Sequence, residues 1–211
     1  MSKSLFIKKV NDQDLALDYN VLRKTFESAG INHIDQSPWS ADFPYQPDAT
    51  FRIVHSEEFV GLYYNVKEEF LKAQAIRANE SVWEDSCVEF FISLDNKETY
   101  FNFEFNVLGT GLIGYGPAVK SERNRLSAEL IDSIDLLTQV TKKNGLKTWE
   151  MYLLIPKNLI GLKNYQKNVI HANFYKCGDA LPNPHFIAWN YIDNPTPNFH
   201  LPQFFGELIL E

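Results

Sequence analysis

From Tyr100 to Leu108 apolar and polar side chains alternate: Phe101, Phe103, Phe105 and Val107 fall on one face, Asn102, Glu104 and Asn106 on the other. A period of two marks a strand with one buried face, so the apolar set is expected in the core. Cys87 to Leu94 carries the same period, with Val88, Phe90 and Ile92 on the core side and Glu89 opposite. Between the two runs Asp95-Asn96-Lys97-Glu98 supplies turn chemistry, and the pair is expected to form a hairpin. Closing it around Asn96 sets Glu89 across from Phe103 or Glu104. The two glutamates are therefore expected close together on the face away from the core, with Cβ atoms ~5 Å apart if directly opposed.

Further strands are expected at Thr50 to His55, Phe59 to Val66, Leu136 to Thr141, Lys147 to Ile155, Val169 to Cys177, Phe186 to Tyr191 and Phe204 to Leu210. Helical spacing of Leu15, Leu22 and Phe26, with Asp12 or Asp14 as cap and Gly30 as stop, predicts one helix near the start. A short helix is expected over Ser127 to Ile134. Many short strands and few helices predict an all-β, antiparallel β-sandwich of jelly-roll type with one N-terminal helix and short peripheral helices. One domain over 1–211, with a helical extension at about 12–30, is the simplest organisation.

Composition narrows the function classes. Thirty aromatic residues (16 Phe, 10 Tyr, 4 Trp) among 211 demand a large core and exclude a disordered chain. Twenty Lys and Arg against 27 Asp and Glu leave a net charge of −7 with no basic cluster, so nucleic acid is not an expected partner. No apolar run approaches the ~20 residues that span a bilayer, and Lys8 and Lys9 interrupt the first apolar group, so no membrane partner is expected and the chain reads as cytoplasmic. Cys87 and Cys177 read as two buried free thiols. The oligomeric state is left open.

Adjacent carboxylates repel, so Glu89 and Glu104 need compensation: a basic residue from a third strand, a metal ion, or a ligand rich in hydroxyls. Trp83 precedes this strand among Glu80, Ser81, Glu84, Asp85 and Ser86. An indole in so polar a loop is a candidate platform for the C–H face of a sugar, beside the ordinary alternative of a core tryptophan. Trp149 and Trp189 lie within expected strands and read as core; Trp39 fits either role.

Trp83-Glu84-Asp85-Ser86-Cys87-Val88-Glu89-Phe90-Phe91-Ile92, then Phe103-Glu104-Phe105-Asn106, Ile187-Ala188-Trp189, and Pro195 to Leu208 resemble the family 9 carbohydrate-binding modules. Asn173 to Asp179 (NFYKCGD) is similar to the stand-alone family-9-like proteins of gut bacteria. The resemblance covers roughly Thr50 to Glu211 and implies a sandwich that clamps a terminal sugar of a mono- or oligosaccharide between two aromatic rings. It carries Trp83 over as one ring, Glu89 and Asn106 as hydrogen-bonding residues, and Tyr175 as a further polar contact. Two positions depart from the family: Phe199 stands where the second tryptophan is expected, and Glu104 where a basic residue is expected. The resemblance further implies a role in carbohydrate catabolism without catalysis. Family members can carry structural calcium, but no calcium-loop spacing appears, so no cofactor and no metal ligand is assigned.

Three alternatives stand beside this reading, one of them a structural or interaction protein in which the departures at Phe199 and Glu104 mark a decayed sugar site. Glu89 and Glu104 could serve as the carboxyl pair of a glycoside hydrolase, since retaining enzymes hold theirs ~5 Å apart. His171, Cys177, Asp179, His185 and His200 offer zinc-type ligands, although their spacing matches no standard site.

Overall fold

The computed structural model describes residues 2–211. Its strands are β1 (Ser4–Lys9), β2 (Asn32–His33), β3 (Asp48–His55), β4 (Phe59–Glu68), β5 (Cys87–Ser93), β6 (Tyr100–Asn106) and β7 (Gly111–Gly116). After them come β8 (Asn124–Arg125), β9 (Asp135–Lys143), β10 (Leu146–Pro156), β11 (Val169–Cys177), β12 (Phe186–Ala188) and β13 (Gly206–Leu210). The helices are α1 (Tyr19–Glu27) and α2 (Ala128–Asp132).

The strands run in the order β8-β7-β6-β5-β11-β13-β1-β3-β4-β10-β9 and form two facing layers joined at β1. Ser4 to Ile7 of β1 pair with β13, and Lys8 and Lys9 pair with β3, so one strand serves both layers. Both pairings are parallel, a departure from the wholly antiparallel sandwich that the sequence predicts. β1 itself gives no strand signal: Phe6 is 76% exposed and two lysines follow, so no buried face repeats along it.

The main core fills the space between the layers. Val88, Phe90, Phe103, Phe105 and Phe174 from one layer meet Phe51, Leu62, Tyr64, Trp149 and Met151 from the other. The Phe51 and Phe174 rings stack across the gap at 3.7 Å. Phe101, expected in the core, lies at its margin, half-buried against Tyr115. Trp149 and Trp189 are core residues, and Trp39 is buried with its indole N–H donating to Asn194 O.

The expected first helix is divided. Asp12–Leu15 is a single 3₁₀ turn, and α1 begins only at Tyr19, where the Asp18 carboxylate, rather than Asp12 or Asp14, accepts from the N–H groups of Asn20 and Val21. Leu15, Leu22 and Phe26 then pack on Val54, Tyr152 and Leu154, covering the outer face of the β3-β4-β10 layer. The outer face of the β5-β6-β11 layer is the one left to carry a site.

Candidate functional site

β5 and β6 pair so that Glu89 lies directly opposite Glu104. The turn between them is held by the Asp95 carboxylate, which accepts from the Thr99 N–H and the Ser93 hydroxyl. Asn96 and Lys97 take positive φ there, and this fixes the register. Glu89 and Glu104 are 4% and 5% exposed and form the floor of a cavity of about 420 Å³.

Trp83 stands at one wall. It occupies a 3₁₀ turn just before β5 and is only half-buried. Its carbonyl accepts from the Asp179 N–H, and Glu84 O accepts from Ala180 N–H, so the tryptophan segment is tied to the end of β11. Phe199 lines the same cavity. Its ring stacks on Tyr175 at 4.2 Å and lies 6.0 Å from Trp39, while its carbonyl accepts from the Tyr175 hydroxyl.

The basic compensation arrives from a segment that strand periodicity does not mark. Lys120, Arg123 and Arg125 line the cavity beside Glu104. The Arg123 guanidinium lies 3.9 Å over the Tyr100 ring and donates to the carbonyls of Gly116, Pro117 and Tyr100, and to Asn102 Oδ1. Asn102 Nδ2 in turn donates to Glu104 Oε1 at 2.9 Å. A cation thus reaches Glu104 through one amide, in place of the basic residue that the resemblance leads one to expect on the strand itself. Gly114, paired with Asn102, makes room for that amide: a Cβ there would lie 2.5 Å from Asn102 Oδ1.

Burial dominates the carboxyl chemistry. It pushes Glu104 up to about 7, against the hydrogen bond from Asn102 and the fields of Arg125 and Arg123. Glu89 is raised well above the usual carboxylate range, first by burial, then by Cys177 and Glu104. Cys177 Sγ lies 3.1 Å from Glu89 Oε1 as a thiol donor. His200, on the rim, is held near 4 by burial and by Arg123, so it is neutral and shares a hydrogen bond with the Tyr100 hydroxyl.

Of the six residues singled out in the sequence, Trp83, Glu89, Glu104 and Phe199 line the cavity. Asn106 and Tyr175 do not. The Asn106 amide donates to Ala75 O and Asp85 Oδ2 and accepts from the N–H groups of Leu108 and Thr110, which fills its hydrogen-bonding capacity with loop backbone and one carboxylate. Tyr175 is fully buried behind Phe199. Asn102, Arg123 and Arg125 were missed. Asn102 stood in the alternating polar stripe and could have been found there; the arginines lie in a loop and a two-residue strand with no period to read.

The zinc-type set does not assemble. His171 lies toward the far end of β11, His185 points into the interior beside Lys176, and His200 bonds Tyr100. Among the described residues one group of three potential ligands comes together, Cys87, Glu89 and Cys177. With two thiols and a single carboxylate it lacks the oxygen-rich donor set that calcium takes. Among the described residues no helix is long and apolar enough to cross a membrane.

The sequence profile of carbohydrate-binding family 9 matches residues 19–210. A candidate carbohydrate-binding protein from Bacteroides uniformis is 34% identical over the whole of both chains, and its crystal structure superposes with a TM-score of 0.89. Two structures of a family 9 module from Caldicellulosiruptor kristjanssonii, one with glucose and one with cellotriose, are each 13% identical. Their TM-scores are 0.60 and 0.59 over 99% of this chain and 96% and 94% of theirs, a likeness of fold. No curated protein gives a significant match. With the profile spanning β2 to β13 and a full-length relative of the same fold, the chain belongs to carbohydrate-binding family 9.

Proposed function

We propose that the cavity binds the end of a mono- or oligosaccharide without cleaving it, in carbohydrate catabolism. The observation that carries this reading is the meeting of two aromatic side chains, Trp83 and Phe199, with Glu89, Glu104 and Asn102 around one opening. Aromatic faces accept the apolar C–H surface of a pyranose, while carboxyl and amide groups on rigid strands exchange hydrogen bonds with adjacent hydroxyls. Its volume, about 420 Å³, falls in the roughly 300–1,000 Å³ range of small-molecule pockets. The glucose and cellotriose complexes of the Caldicellulosiruptor module support the ligand class. Burial raises both carboxyls, Glu104 to about 7, so each can hold a proton and donate as well as accept, which suits hydroxyl partners.

One ring between aromatics and a few hydrogen bonds correspond to millimolar to micromolar affinity, about 4 to 8 kcal/mol. Calorimetric titration with glucose, xylose, cellobiose and xylobiose tests the reading. Trp83→Ala should weaken binding about tenfold or more with the fold intact, because the indole is only half-buried. Absence of binding across a broad glycan panel, or binding indifferent to Trp83→Ala, would overturn it.

The direct opposition of Glu89 and Glu104 supports a second reading, glycoside hydrolysis with these as the carboxyl pair. It ranks below binding because both side chains rise from one sheet floor, whereas hydrolysis needs carboxyls flanking the bond. Release of an aryl aglycone, abolished by Glu89→Gln, would reverse the order.

A further inference from the structure

We propose that Cys87, Glu89 and Cys177 form a site for one soft divalent cation of the zinc type, with its remaining position open to the cavity. Cys87 and Cys177 are directly paired across β5 and β11, and Glu89 follows Cys87 by two residues on the same face. The three candidate ligand atoms lie within 4.8 Å of one another, and Cys177 Sγ is 3.1 Å from Glu89 Oε1. Ligands in a tetrahedral site with ~2.3 Å Zn–S bonds are roughly 3.5–3.8 Å apart, so small side-chain rotations suffice.

The donor set selects the cation. Two sulfurs and one carboxylate favour zinc over magnesium or calcium, which prefer all-oxygen shells. Its orientation sets the coordination: Glu89 and Cys177 line the cavity, whereas Cys87 lies fully buried behind them. Three protein ligands from the floor and a fourth position facing the opening is the arrangement of an exchangeable zinc centre, not of a closed structural one.

Charge points the same way. The Glu89 carboxyl accepts a hydrogen bond from the Cys177 thiol, a weak donor, and among the described residues no cation forms an ion pair with it. Glu104 and Asp179, both raised by burial, are the neighbouring carboxyls of the trio; Lys176 is the positive group beside Cys177, and Arg123 and Arg125 act on Glu104. A dication would neutralise most of the charge of two thiolates and a carboxylate, and would release to solvent the thiol protons together with any proton that burial keeps on Glu89. Affinity should therefore rise with pH. None of this depends on what occupies the rest of the cavity.

The test uses the full chain, reduced and stripped with a chelator. Zn²⁺ titrated against a chromophoric chelator should fill one equivalent, and Co²⁺ should produce thiolate-to-metal charge-transfer absorption. Cys177→Ser should lower zinc affinity at least roughly a hundredfold. Because a buried serine could cost folding, circular dichroism verifies that variant, and the unaltered chain supplies a second measurement: zinc should raise its melting temperature and protect both cysteines from alkylation. No uptake at micromolar zinc, cobalt spectra without thiolate bands, undiminished uptake by folded Cys177→Ser, or alkylation unaffected by zinc would each overturn the proposal.

Discussion

Lys176 and Cys177 are neighbours in β11 that point to opposite faces, and each meets a buried glutamate on very different terms. On the inner face Glu68 accepts from the Trp149 indole N–H at 2.6 Å, and Lys176 Nζ lies 2.9 Å from its other oxygen as a close ion pair. Lys176 also donates to Cys177 O and to His185 Nε2, while His185, pushed down to about 3 by burial and by Lys176, is the neutral acceptor. On the outer face Glu89 has a thiol and another carboxyl for company. A buried carboxylate is stabilised by charged and hydrogen-bonding partners or else holds its proton. The inner glutamate has a cation of the chain beside it; the outer one has none within ion-pair distance among the described residues, which makes it the focus of both proposed sites.

The sharpest way to break the inner arrangement is Lys176→Ala. It strands Glu68 in the core and should cost about 3–5 kcal/mol in urea unfolding, with sugar affinity altered only through loss of fold. The outer pair should instead show itself in pH dependence. The Glu104 carboxyl ordinarily titrates near 4.5 and in the folded chain near 7, so the unfolded chain holds fewer protons across that window. Stability then declines as pH rises from about 4.5 through about 7. Glu104→Gln, which can still accept from Asn102, should flatten the decline in unfolding curves collected across that range. The smallest effect is expected from Tyr175→Phe, which removes the hydroxyl donated to Phe199 O. It should cost about 1 kcal/mol of stability and weaken sugar binding no more than severalfold, by loosening the Phe199 segment.

How much of this was legible follows from where periodicity exists. The β5-β6 register could be read because one core face and a turn with Asn96 at positive φ leave little freedom, and the glutamate pair came with it. β7 escaped because glycine occupies Gly111, Gly114 and Gly116, one of them to make room for Asn102. Alternation tells which face Asn106 occupies but not that the Ala75 and Asp85 backbone and side chains fold over it and absorb its amide. Arg123 was hidden for a related reason: its placement depends on carbonyls of Gly116, Pro117 and Tyr100, contacts made by tertiary closure and unmarked by any local pattern. The fold was therefore visible where one strand constrains the next, and the site only where it lies on such strands.

The strand β1 has a consequence for how the chain is made. It pairs on one side with β13, Ser4 opposite Glu207, and β13 lies between β1 and β11. A ribosome delivers the first of these strands nearly two hundred residues before its neighbour. Until Gly206–Leu210 emerges, β1 and the Val169–Ala172 half of β11 present bare sheet edges, and loop closure over that span is slow. While residues 10–205 are being made the sheet stays unfinished, and a chain that stops short of β13 would be prone to aggregate.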